Sequence, residues 1–147
     1  MAFIAGIRGT TTTLNDALPI VIDSAGQLGT VSSSARAKDE IRDMAEESDR
    51  LMRLRPVTFR YKAQASDGPR QFGLIAEEVD EVLPELVVRN RAGEIETVKY
   101  HELPAMLLNE LQKMARRAEA AEDALRALER RLAKLEAAAT ARVSAGR

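Results

Sequence analysis

The chain has 147 residues, enough for one domain with a modest core, and its 22 basic residues nearly balance its 23 acidic ones. This even balance and an aromatic content of 3% argue against a nucleic-acid-binding surface. With no cysteine and a single histidine, neither a disulfide framework nor a thiolate or histidine-built metal site is expected. We therefore predict no cofactor and no metal ion.

Membrane attachment and secretion are not indicated either. No apolar run approaches the roughly 20 residues of a membrane span. The N-terminal stretch MAFIAGIRG lacks a basic first region, and its apolar part is too short for a secretory signal. We expect no membrane partner.

Residues 1–32 are rich in Gly, Thr and Ser and poor in charge. Two short β-like runs, Phe3–Ile7 and Pro19–Ile22, lie in this segment, and the second ends at the turn signal Asp23-Ser24-Ala25-Gly26. The segment has too little apolar mass to fold alone. It is therefore predicted to be the end of a β-rich stalk or an added strand.

Residues 39–102 have a mixed pattern. A helical stripe before Arg55-Pro56 ends there, because proline disfavours the helical conformation of its predecessor. The strand signals are Val57–Tyr61, then Gln71–Ile75 leading into a helix over 76–83, then a hairpin that pairs 86–89 with 94–100 around Ala92-Gly93. This pattern predicts a small α+β domain.

From Leu103 onward, apolar residues recur at alternating steps of four and three, a period of about 3.5 residues typical of a coiled coil. This seam comprises Leu107, Leu111, Met114, Ala118, Ala121, Leu125, Leu128, Leu132, Leu135 and Ala139. With Leu107 at heptad position d, a parallel in-register bundle places Arg117 opposite Glu122 and Arg131 opposite Glu136 of a second copy. We predict a homo-oligomer, although leucine at both a and d leaves the number of chains open. The alternative is one amphipathic helix folded back on its own domain.

The stretch VSSSARAKDEIRDM, residues 31–44, supports two interpretations. Serines ahead of a helix usually act as N-caps, and local sequence alone favours a cap with Lys38 as a solvated charge. A serine with a lysine close behind it can also be a nucleophile and its base.

Four ordered blocks of the chain carry a more specific signal: SSARAKDEI from Ser33, LRPVTFRYK from Leu54, QFGLIAEEV from Gln71 together with PELV from Pro84, and VKY from Val98. With the leucine-rich helix that follows, they closely resemble the intramolecular chaperone auto-processing domain at the C terminus of phage endosialidases, tailspikes and tail fibres. A eukaryotic membrane-bound transcription factor, the myelin regulatory factor, carries a related domain. The resemblance covers about residues 31–135.

The resemblance implies a homotrimeric module that helps a β-rich stalk to fold and then severs itself by serine-type proteolysis. The family pattern Ser-x-x-Arg-x-Lys matches Ser33, Arg36 and Lys38, which makes Ser33 the nucleophile, Lys38 its base and Ser32–Ser33 the bond that is cut. It divides the chain into a stalk end (1–32), a chaperone and auto-processing core (33–102) and a C-terminal coiled coil (103–147). The implied partners are two further copies and the parent stalk. The implied location is the host cytoplasm during phage assembly, with the parent protein in the virion tail.

Two departures affect the site. Ser34 blurs the position of the nucleophile by one residue, and Ser32 stands where endosialidases have histidine. A lysine acts as a base only when its amine is neutral, which requires burial or a neighbouring cation, and Arg36 could supply the charge. Because five residues turn about 140° on a helix, Ser33 must precede the predicted helix rather than share a face with Lys38. A non-cleaving trimerisation module is the alternative function, and a peptidase acting on other proteins is a third.

Overall fold

The computed structural model describes residues 3–63 and 68–145, and the chain divides into two compact units, Met1–Arg42 and Asp43–Arg147. The predicted loop over 63–70 lies partly outside the described residues. None of the described helices is long and apolar enough to span a membrane.

The first unit contains one small antiparallel pair, β1 (Val21–Ile22) and β2 (Leu28–Gly29). The predicted turn between them is confirmed. The Asp23 carboxylate accepts hydrogen bonds from the backbone N–H groups of Ala25 and Gln27, each at 2.9 Å, and Gly26 has a φ of 86° that favours glycine. The other β-like run, Phe3–Ile7, forms no strand.

The second unit holds two antiparallel strand pairs. Strand β3 (Val57–Phe59) pairs with β4 (Gln71–Gly73), and β5 (Val87–Arg89) pairs with β6 (Ile95–Val98) around a turn in which Gly93 has a φ of 83°. All four strands were predicted, each somewhat longer than observed. With helix α1 (Ala76–Val82) and the long helix α2 (Leu103–Ala145), they make a mixed architecture consistent with α+β.

The prediction of a helix before Arg55-Pro56 is wrong. That segment contains turns and a 3₁₀ helix at Asp49–Arg53. Glu40 and Ala45 have φ values of 51° and 46°, in the left-handed region that non-glycine residues rarely adopt. The Ala45 carbonyl accepts a hydrogen bond from the Asn109 side chain of α2 at 2.8 Å, so a tertiary contact stabilises the non-helical backbone.

The core of the second unit lies between α1, the hairpin β5–β6 and the first turns of α2. Leu103 and Met106 of α2 pack against it. The buried apolar side chains among the described residues are Leu51, Val79, Leu83, Leu86, Val87 and Val98.

A polar cluster attaches α2 to the segment before the 3₁₀ helix. The hydroxyl of Ser48, which is fully buried, donates to the Glu110 carboxylate at 2.5 Å and accepts from Asn109 at 2.6 Å. Lys113 bridges the Glu110 carboxylate, at 2.7 Å, and the Asp49 carboxylate. Each buried polar group therefore has a partner, which avoids the cost of burying it unpaired.

The close approach at Gly73 generates a first prediction. A Cβ on Gly73 would lie 2.8 Å from the Tyr100 hydroxyl, which accepts from the Leu74 N–H, and 3.2 Å from the Phe59 ring. Gly73→Ala is expected to lower the free energy of unfolding by about 1–3 kcal/mol. Urea denaturation measures this loss. In a Tyr100→Phe background the loss should be smaller, because one clashing atom is gone; an unchanged loss would contradict this account.

The polar cluster generates a second prediction. The hydrogen bond from Lys113, and to a smaller extent the one from Ser48, lowers the pKa of Glu110 in the folded protein. The ionised carboxylate therefore stabilises the fold at pH values above its unfolded-state pKa of about 4.3, and this stabilisation is lost as the pH falls through its folded-state pKa. Glu110→Gln should therefore be less stable than the wild type at pH 7, and the difference should shrink on acidification. Thermal melts at several pH values measure it. Replacing the exposed Glu119 by Gln is the matched control, and a pH-independent difference for Glu110→Gln would contradict the prediction.

Lys113 titrates at the opposite end of the pH range. The hydrogen bond to Asp49, and to a smaller extent the one to Glu110, raises the pKa of Lys113 in the folded protein. The charged amine therefore stabilises the fold at pH values below its unfolded-state pKa of about 10.4, and this stabilisation is lost as the pH rises through its folded-state pKa. Lys113→Met is therefore expected to be less stable than the wild type at neutral pH. The difference in stability should disappear only at strongly alkaline pH, and the same thermal melts measure it.

Candidate functional site

The serine segment forms a short capped turn. Ser34, with extended backbone, is the N-cap of a 3₁₀ helix at Ala35–Ala37. Its hydroxyl accepts from the backbone N–H of Arg36 and from the Arg36 guanidinium, both at 3.3 Å. The Ser34 N–H in turn donates to the hydroxyl of Ser32 at 3.3 Å. The cap expected from local sequence is therefore present, and it is Ser34.

The two members of the predicted dyad flank this turn. Ser33 precedes the cap and is exposed, while Lys38 follows the turn with extended backbone and an exposed side chain. The Lys38 backbone N–H donates to the Ala35 carbonyl at 3.2 Å. Within residues 3–63 and 68–145, no hydrogen bond joins the Ser33 hydroxyl to the Lys38 amine, so the dyad stays a prediction.

The backbone after Lys38 differs from the predicted helix, and this difference changes how Ser33 and Lys38 are positioned. Because no helix begins at Asp39, the relation between Ser33 and Lys38 is set by a 3₁₀ turn between two extended residues. Such a junction depends on few local hydrogen bonds, so its backbone can be adjusted at small cost.

Two titratable groups in or beside the resembling blocks, Glu78 and His101, have charged neighbours. Glu78 pairs with Arg55, whose hydrogen bond lowers the pKa of that carboxylate. His101 lies just before α2, and its Nε2 is 3.8 Å from the Glu102 carboxylate. In the described part of the chain, no group of histidine and acidic side chains could hold a metal ion.

A second serine and lysine, Ser48 and Lys113, both bond to the Glu110 carboxylate. The sequence did not reveal them, because 65 positions separate the two residues. They are unsuited to nucleophilic catalysis. Ser48 is fully buried, and its hydroxyl donates to a carboxylate. The neighbouring Asp49 and Glu110 raise the pKa of Lys113, which keeps the amine protonated and unable to act as a base. The cluster therefore serves to attach α2.

Comparison with known families confirms the resemblance over part of the chain. Residues 33–88 match the family model described as the chaperone of endosialidase, a family of peptidase type. This match supports an intramolecular chaperone role. No curated protein matches the chain.

Proposed function

We propose that the chain is an intramolecular chaperone that trimerises a β-rich fibre or tailspike stalk and then releases itself by autoproteolysis between Ser32 and Ser33. Ser33 is the nucleophile and Lys38 the base, with Arg36 as a neighbouring cation and Ser34 as the cap that shapes the turn. The observation that carries the proposal is the family match, which begins at residue 33, the first residue after the proposed cleavage site.

Local geometry favours Ser33 over Ser34 as the nucleophile. The oxygen of Ser34 already accepts two hydrogen bonds from Arg36, which occupy the lone pairs that a nucleophile needs. Ser33 is exposed, and in the described part of the chain its hydroxyl oxygen accepts no hydrogen bond. The capping and nucleophilic interpretations therefore apply to different serines of the same run.

The proposed chemistry begins with transfer of the Ser33 hydroxyl proton to the Lys38 amine while the hydroxyl oxygen attacks the Ser32 carbonyl carbon. The C–N bond then breaks, the amine of residue 33 takes the proton, and an ester remains. Water hydrolyses the ester, giving a carboxylate on residue 32 and restoring the serine hydroxyl. Backbone N–H groups would stabilise the oxyanion.

Exposure of the Lys38 side chain in the single chain is the reason to couple this chemistry to assembly. A lysine acts as a base only through its neutral amine, and burial in a subunit interface favours the neutral form. Cleavage would then follow trimer formation.

The distribution of exposed apolar side chains supports association of several copies. On α2, the leucine and methionine residues of the seam from Leu107 to Leu135 are exposed by 55–68% in the single chain. In the first unit, Phe3 is exposed by 88%, as expected for a stalk segment that is completed by other copies. Further large apolar side chains of that unit are also exposed: Ile4, Ile7, Leu14, Leu18, Ile20, Ile22, Leu28 and Val31.

Intact mass spectrometry tests the cleavage. The purified wild-type chain should yield a fragment of residues 33–147, while Ser33→Ala and Lys38→Ala should stay at full length. Lys38→Arg should also stay uncleaved, because arginine keeps the charge but cannot lose its proton. Ser34→Ala is the matched control and should still be cleaved.

Native mass measured on the same samples separates the alternatives. A full-length wild-type chain in a confirmed trimer would contradict the proteolytic claim and favour a non-cleaving trimerisation module. Loss of cleavage in Ser34→Ala but not in Ser33→Ala would show that Ser34, and not Ser33, is the nucleophile.

A further inference from the structure

The first turns of α2 carry two distinct faces. One face packs on the chain's own domain through Leu103, Met106, Glu110 and Lys113, at steps of three and four. The other face is exposed: Leu107, Leu108, Leu111 and Met114 are each exposed by 54–63%. The domain therefore covers one flank of the helix and leaves the seam and the opposite flank open.

An apolar groove of about 470 Å³ borders this helix. Its walls come from the 3₁₀ helix, strands β3 and β4, and the start of α2, and every lining residue is uncharged. Leu103 and Leu107 belong both to the groove and to α2, so the groove is continuous with the beginning of the seam. Phe72 on its rim is exposed by 82%.

We propose that this groove receives Leu108 from a second copy of the chain. The inference rests on the trimer of the proposed function and deepens it by naming the residue and the surface that meet. It joins the domain of one chain to the helix of the next, as in a ring of heterologous contacts.

The heptad positions specify this occupant. With Leu107 at d, Leu103 is at g and Leu108 is at e. In a parallel in-register bundle a g residue meets the e residue of the next heptad on a neighbouring helix, which places Leu108 of the second copy beside Leu103. Since Leu103 lines the groove, its partner lies at the groove mouth.

The chemistry of the groove agrees with that occupant. The centres of protein interfaces are depleted of charged residues, as this lining is. Leu108 is an exposed leucine at an e position, where later heptads carry Glu122, Glu129 and Glu136. The remaining e positions carry Ala115 and Val143, so the single leucine at an e position of α2 lies at the level of the domain, and three charged e residues follow where the helix extends beyond it.

Thiol cross-linking tests the contact, because the chain contains no cysteine. Thr58 lines the groove and is exposed, so Thr58→Cys and Leu108→Cys can be combined without disturbing the core. A short bifunctional thiol reagent should convert the double variant into a covalent trimer, because each chain is joined to the next. Either single variant can form covalent dimers at most.

A denaturing gel shows which chains are covalently joined, and the native mass shows whether the chain forms a trimer. Together they distinguish the controls and the opposing outcomes. Thr58→Cys combined with Arg116→Cys, at an f position away from the seam, should give no covalent trimer. A native trimer in which the Thr58 and Leu108 cysteines do not join would overturn this inference and leave the proposed function intact. A monomeric chain would overturn both.

A competing occupant is tested in the same way. Thr58→Cys combined with Leu18→Cys probes whether the exposed apolar segment before the cleavage site fills the groove instead. Covalent trimers from that pair, and not from the Leu108 pair, would refute the assignment.

Discussion

The structure depends on the packing of the first turns of α2 against a small core. Leu103 and Met106 cover the apolar cluster, and the contacts among Ser48, Glu110 and Lys113 fix the same turns to the segment before the 3₁₀ helix. Beyond these turns, α2 continues as a helix with little contact to its own domain. A core of this size contributes modest stability, and under the proposed function contacts with other copies would stabilise the rest of the long helix.

The same constraint shapes the proposed function. If α2 is covered only when copies associate, then folding of the domain, assembly of the seam and ordering of the stalk are linked equilibria. The proposed cleavage site suits this linkage, because Ser33 and Lys38 are exposed and the described part of the single chain shows no hydrogen bond between their side chains. In the proposed function, premature cleavage would separate the chaperone from an unfinished stalk, and activation by burial at an interface would delay cleavage until assembly is complete.

Elements with strong local signals were predictable. The turn at Asp23–Gly26, strands β3 to β6 and α1 follow from alternation, turn residues and proline, which act over a few neighbouring positions. The helix predicted before Arg55-Pro56 failed, since its apolar spacing could not reveal that Asn109, 64 positions away from Ala45, donates to that residue's carbonyl. Shortening of the strands has the same origin, because strand ends depend on partners supplied by the fold.

For the candidate site, the sequence by itself determined the order of residues in the pattern Ser33, Arg36 and Lys38, and the heptads that follow Leu103. Both are short-range patterns that reside in the chain's covalent order. Only the tertiary structure decided that Ser34 is the cap, that Ser48 and Lys113 form a buried polar attachment, and that a groove opens beside Leu103 and Leu107. These features depend on backbone geometry and on contacts between distant segments, which periodicity and spacing do not encode.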